Sequence, residues 1–214
     1  VITTAIFPIF YDDVTSKGGK IVSFFGAQVE NTVLYSYVVG FSFFIVSFTS
    51  PFLSGIADYS GNKKRFLQFF CYLGSLSCAS LYFFNVDHLV WSMLSVLLAS
   101  VGFWGSLVFY NAYLPEIAEI VDHDKISARG FSMGYMGSSL LLIMCILFIQ
   151  FLGPEFTRFS FVFVALWWAG FAQVTFYRIP NNVYDHKPDG NIVFKGFKEL
   201  YFVWTELKDN KRLK

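Results

Sequence analysis

The stretch Ser54-Gly55-Ile56-Ala57-Asp58-Tyr59-Ser60-Gly61-Asn62-Lys63-Lys64-Arg65 concentrates charge that its flanks lack. A carboxylate, a glycine three residues on and three cations in a row do not make or break covalent bonds. They can fix a turn, mark one side of a membrane and hold a charge contact. Ser54 and Gly55 let a neighbouring helix approach closely. Asp58 closes an apolar run, and Gly61 permits a tight turn with positive φ. Two readings stand on these residues alone: a contact that uses Asp58 to set a conformation, and an ordinary basic loop in which Asp58 balances the cations.

Groups that could catalyse are scattered. His88, His123 and His186 fall in connecting segments, and His123 sits between Asp122 and Asp124. No His-Glu-x-x-His, Gly-x-Ser-x-Gly or paired intramembrane Asp supplies a metal, a nucleophile or an acid–base pair. Cys71, Cys78 and Cys145 lie inside apolar runs, where thiols behave as small hydrophobes; neither a disulfide nor a metal site is expected. The sequence points away from an enzyme, requires no cofactor and suggests no nucleic-acid partner.

The elements that position these residues are set by composition. Of 214 residues, 55% are hydrophobic, 21% aromatic and only 14% charged; a soluble domain carries roughly a quarter charged. Five runs lack Asp, Glu, Lys and Arg: Asn31 to Ala57, Phe66 to Val86, His88 to Pro115, Gly130 to Pro154 and Phe159 to Tyr177. Each can cross the roughly 30 Å hydrocarbon core as a helix. Their apolar character is continuous rather than alternating, which selects helices over a barrel. Val1 to Tyr11 is too short to span, so the expectation is a segment entering partway through its first helix. Residues 1–178 then form an all-α polytopic bundle of six membrane helices, the first truncated, with the lipid bilayer as solvent.

Orientation follows from the connections. One set, with the tail, holds 13 Lys and Arg; the other holds only Lys17, Lys20 and Arg158. The positive-inside rule makes the rich set cytoplasmic. Residues 179–214 form a separate cytoplasmic unit. Ile179-Pro180-Asn181-Asn182 breaks the last helix. Val193, Phe197, Leu200, Trp204 and Leu207 then recur at helical steps with charges between them, which predicts an amphipathic helix lying on the membrane or packed on protein.

Gly130, Gly134 and Gly137 form a smooth stripe on the fifth span, as Ala99, Gly102 and Ser106 do on the fourth. Such stripes suit close helix packing.

The Ser54–Arg65 stretch resembles the loop motif between helices 2 and 3 of the major facilitator superfamily, in the form Gly-x-Leu-Ala-Asp-x-x-Gly-Arg-Lys. Ala57, Asp58, Gly61 and Lys63 match; Ile56 replaces Leu, Ser54 stands at the leading Gly and Asn62 at the Arg. Ile2-Thr3-Thr4-Ala5-Ile6-Phe7-Pro8, the run Phe109-Tyr110-Asn111-Ala112-Tyr113-Leu114-Pro115-Glu116-Ile117, and Ser127-Ala128-Arg129-Gly130-Phe131-Ser132-Met133-Gly134-Tyr135-Met136-Gly137 resemble its vacuole-effluxer-like branch. The resemblance implies the N-terminal six-helix half of a major facilitator fold, with a second six-helix half as partner. It implies secondary transport of a small solute by alternating access, including amino-acid-like efflux, most simply in a bacterial inner membrane. A membrane receptor or scaffold on the same bundle is the alternative.

By resemblance, Ala57, Asp58, Gly61, Lys63, Lys64 and Arg65 form a cytoplasmic gating motif, with Asp58 latching the facing bundle in an outward-open state. Helices 1 and 4 would line the cavity, which makes Thr3, Thr4, Ser106, Tyr110 and Asn111 the candidate solute contacts; Tyr110 and Asn111 also suit the membrane-interface belt. The glycine stripe of the fifth span would double as a sliding surface. The fourth span has no Arg and the fifth no Gly-Pro pair. The Arg-based and antiporter patterns of the superfamily are therefore not met.

Overall fold

A computed structural model describes residues 2–17, 19–180 and 205; the side chains of Ile2, Thr3, Ile56, Asp58, Tyr59 and Ser60 lie outside the description. A π-helical turn, Ile2–Ile6, leads into α1 (Phe7–Ser16). A hairpin of β1 (Ile21–Phe24) and β2 (Ala27–Glu30) follows. Then come α2 (Asn31–Ser60), α3 (Lys63–Ser80), α4 (Leu89–Ala112), the short α5 (Leu114–Ile117), α6 (His123–Leu152) and α7 (Thr157–Arg178). Five segments are long and apolar enough to cross a membrane: Asn31–Gly55, Lys63–Phe83, Val86–Ile117, Ile120–Leu152 and Pro154–Arg178. They coincide with the five uncharged runs. In lipid no water satisfies the backbone, so each run closes its own hydrogen bonds as a helix. The chain is an all-helical, multi-pass membrane bundle; the hairpin is its one sheet among the described residues.

The structure corrects two local expectations. Lys63, Lys64 and Arg65 were expected in a loop but form the first turn of α3, and Lys125 and Arg129 lie in the first turns of α6. The reason is length. A helix of 30 residues, as α6 is, extends about 45 Å, well beyond the hydrocarbon core, so its polar start stands in the interface and stays helical. The stretch between α1 and α2 was expected as a plain connection and instead forms the hairpin. Its two-residue turn puts both Phe25 (φ 49°) and Gly26 (φ 83°) in left-handed conformations, the type I′ geometry that matches strand twist. Phe24 pairs with Ala27 and Ile21 with Glu30. The predicted amphipathic helix at Val193 to Leu207 lies outside the described residues.

Two packed regions hold the bundle. Around α1, Phe7, Phe10, Tyr11, Phe84 and Phe161 form a buried aromatic cluster with ring centroids 5.2–6.4 Å apart. Near the α2–α3 turn, Ala57, Leu67, Phe70, Phe109, Tyr113 and Phe176 pack together. The α3–α4 crossing is tight because two glycines meet there. A Cβ on Gly102 would lie 2.4 Å from the Gly74 backbone, and one on Gly105 would lie 2.5 Å from the Phe70 ring. Without a hydrophobic drive between helices in lipid, such contact is what holds α3 to α4.

Candidate functional site

The end of the bundle that carries Lys63, Lys64 and Arg65 brings together two stretches that the sequence presented separately. α2 ends at Ser60, and Gly61, buried and at φ 64°, turns the chain into α3. Only glycine takes this conformation without a Cβ penalty. Ala57, 1% exposed, sits under the turn. Asp58 falls in the last turn of α2, and its side chain is among those outside the description. Lys63, in the first turn of α3, places Nζ 2.5 Å from Oε1 of Glu116 on α5. The pair is enclosed: the side chains are 12% and 4% exposed. The other Glu116 oxygen, Oε2, is buried and meets no hydrogen-bond partner among the described residues. Lys64 Nζ donates to the Ile179 carbonyl at 3.1 Å, tying α3 to the end of α7. Arg65 is exposed.

Aromatic packing holds these charges in place. Phe109 stacks on Phe66 and Phe70 with interplanar angles of 19°, and Tyr113 is buried beside it. The rings exclude water from the base of the ion pair, which strengthens the attraction but raises the desolvation cost. A buried pair of this kind adds little net stability while costing about 3–5 kcal/mol to break on one side. It specifies an arrangement of helices more than it strengthens one.

The five candidate solute contacts are not brought together. Thr4 is exposed, and the side chain of Thr3 lies outside the description. Ser106 lies one turn beyond Gly102, on the face of α4 that packs against α3. It is buried beside Cys71, and its hydroxyl donates to the Phe103 carbonyl at 2.8 Å. Tyr110 and Asn111 are exposed near the C-terminal end of α4. The glycine stripe of α6 divides: a Cβ on Gly130 would sit 2.8 Å from the Tyr110 hydroxyl, whereas Gly134 and Gly137 face open space. Ala99, Gly102 and Ser106 are buried on α4, where Gly102 meets α3. Cys71, Cys78 and Cys145 are buried and free.

Where α1 meets the start of α2 the structure adds a polar knot that sequence reasoning missed. Asn31, fully buried at the start of α2, donates from Nδ2 to Asp12 Oδ1 (3.0 Å) and Thr15 Oγ1 (2.8 Å) on α1. Its own oxygen accepts from the Thr32 amide at 2.8 Å. Ser16 Oγ also donates to Asp12 Oδ1, at 2.9 Å. These two donors, Ser16 foremost, hold the Asp12 carboxyl below its usual pKa. The signal was present in the spacing of Asp12, Thr15 and Ser16, which share one helix face; Asn31 was read only as the edge of an apolar run.

The family described as "Vacuole effluxer Atg22 like" matches residues 13–123 and 116–214. The "Uncharacterized MFS-type transporter YxiO" of Bacillus subtilis (strain 168) is 32% identical over 208 residues, 94% of this chain and 47% of that protein. "Autophagy-related protein 22" of Gibberella zeae is 25% identical over 57% of this chain and 18% of its own length. "Autophagy-related protein 22-1" of Penicillium rubens is 26% identical over 51% of this chain and 19% of its own. No solved structure matches. The chain thus spans about half the length of the bacterial relative.

Proposed function

The chain belongs to the vacuole effluxer Atg22-like family of major-facilitator-type membrane proteins, and on that premise we propose that it forms one half of a secondary transporter that moves a small, amino-acid-like solute by alternating access. In this reading residues 1–178 are the N-terminal bundle and 179–214 the cytoplasmic connection to a second six-helix bundle. The solute passes between the two bundles as they rock. The membrane is a bacterial inner membrane, in keeping with the Bacillus relative.

One observation carries the proposal: the enclosed Lys63–Glu116 pair at the α2–α3 turn. A charge pair shielded at one end of a bundle is suited to a two-state contact, because a difference of about 1.4 kcal/mol already shifts a conformational equilibrium tenfold. We assign Ala57, Asp58, Gly61, Lys63, Lys64 and Arg65, with Glu116 added, to the cytoplasmic latch. Gly61 sets the turn, Lys63 and Glu116 fix the start of α3, and Asp58 contacts the facing bundle. There a helix N-terminus would stabilise its carboxylate by about 0.3–1 kcal/mol when exposed and up to about 2 when partly buried. Gly134 and Gly137 give α6 a smooth, open strip on which the second bundle can slide, while Thr3, Thr4, Tyr110 and Asn111 remain candidates for solute contact.

The test is flux. The full-length protein, reconstituted in vesicles loaded with a mixture of amino acids, should release one or more of them over time. Vesicles without the protein should retain them. Retention of every amino acid, with and without a pH gradient, would sink the reading.

A further inference from the structure

The Ile179-Pro180 pair, which ends α7, does more than break a helix. A residue before proline is kept out of the helical region, because the proline ring crowds its amide and Cβ. Ile179 obeys this rule. Its amide still donates to the Thr175 carbonyl at 3.0 Å, but its ψ of 134° is extended. The Ile179 carbonyl is thereby turned out of the helical direction, and it accepts from Lys64 Nζ at 3.1 Å. The Ile179 side chain, partly buried, packs against the cluster that contains Ala57, Leu67 and Phe109. The neighbouring Lys63 pairs with Glu116 instead. Successive lysines in the first turn of α3 therefore tie it to two segments: α5, and the point where the chain leaves α7.

We propose that Ile179 and Pro180 are positioning residues of the α2–α3 latch: Pro180 sets the direction of the Ile179 carbonyl, and that carbonyl sets Lys64. This role rests on the latch reading, whereas the contact itself does not. The last carbonyls of a helix lack partners within it, and a lysine ammonium is a favourable donor to them. Here the acceptor stands on the first residue beyond α7, so the contact depends on how the chain departs. With Ile179 extended, Lys64 is held and the first turn of α3 is fixed on both sides, directly after Gly61. With Ile179 helical, its carbonyl points along the axis of α7 and Lys64 loses its acceptor. The departing chain and the turn at Gly61 are thus mechanically joined, and a displacement at Ile179 loosens the latch.

Lysine acetylation of the full-length protein, timed under single-hit conditions and read by mass spectrometry, reports the contact without any solute. Pro180 is exposed, so Pro180→Ala removes no packing and only frees Ile179 to become helical. Lys64 should then be acetylated about threefold faster than in the parent, while the exposed Lys125 keeps its rate. Ile179→Val keeps the proline and should leave the Lys64 rate at the parent's value. Release of amino acids from vesicles then reads the role. Pro180→Ala and Lys64→Met should each lower release about fivefold, and the double variant should lower it no further, because the two act through one contact. Ile179→Val should release as the parent does. An unchanged Lys64 rate in Pro180→Ala would overturn the positioning claim. Parent-like release by Pro180→Ala, with Lys64 reacting faster, would remove the pair from the latch. If the parent releases nothing, the transport reading fails, and the acetylation rates still decide whether Pro180 positions Lys64.

Discussion

α4 and α6 are both apolar helices of spanning length, yet they live in different surroundings. α4 buries eleven of its residues and α6 buries two, Leu141 and Cys145. Both carry small residues at helical spacing. On α4 those residues meet a neighbour, since Gly102 lies against Gly74 and Gly105 against the ring of Phe70; on α6, Gly134 and Gly137 meet nothing among the described residues. The lesson is that a small-residue stripe shows that a helix can be approached closely, not by what. α4 is the helix on which this bundle is assembled. α6 is left with most of its surface uncovered by the described residues.

The contrast can be broken most forcefully at the base of α4. Lys63→Met should leave the enclosed Glu116 carboxylate poorly compensated and cost about 3–5 kcal/mol. Lys125→Met, which removes an exposed cation at the start of α6, should cost less than about 0.5 kcal/mol. Unfolding in detergent micelles, followed by tryptophan fluorescence, measures both. The double variant Lys63→Met with Glu116→Leu should recover most of the loss. Equal, small effects at Lys63 and Lys125 would mean that the pair is not shielded.

The stripes themselves give a smaller, signed difference. Gly102→Ala forces a Cβ against the Gly74 backbone and should destabilise by about 1–3 kcal/mol. Gly134→Ala meets open space and should stabilise by about 0.5–1 kcal/mol, the propensity gain of Ala over Gly in a helix. Thermal melting of the two variants side by side checks the sign. Matching signs would end the distinction between α4 and α6.

The smallest expected effect is at the knot between Asp12 and Asn31. Asp12 has its pKa lowered in the folded protein by Ser16 and Asn31. A lowered carboxyl favours the folded state while ionised. Its contribution is therefore present above the ordinary carboxylate pKa of 3.8 and is lost as pH falls through the lowered folded value. The melting temperature should drop on acidification below pH 4, and Asp12→Asn should flatten that part of the curve. An unchanged profile in the variant would show that the knot does not depend on the charge.

The membrane helices were legible because lipid permits so few backbone structures. A run free of charge has almost no alternative to a helix, and all five such runs became one. The hairpin was not legible, since Phe25 is not a residue that advertises a left-handed turn, although Gly26 beside it is. In the candidate site, Gly61 could be read because its conformation is a property of its own backbone. Glu116 as the partner of Lys63 could not, because 53 residues separate them and no local spacing records a contact between α3 and α5. Ser106 is ambiguous for a related reason. A hydroxyl inside a span suggests a cavity, yet it can satisfy itself on the carbonyl three residues earlier, as this one does with Phe103.

The central claim is that the turn from α2 to α3 is a latch rather than a charged surface. It is tested most directly by Asp58→Asn in the full-length protein, compared with the parent for solute release from vesicles at matched membrane abundance. Asn serves a turn about as well as Asp, so folding and insertion are preserved and only the charge is removed. The latch predicts that release falls at least tenfold while abundance stays within twofold. Release at the parent's rate would contradict the account and return Asp58 to the role of a counter-ion for Lys63, Lys64 and Arg65.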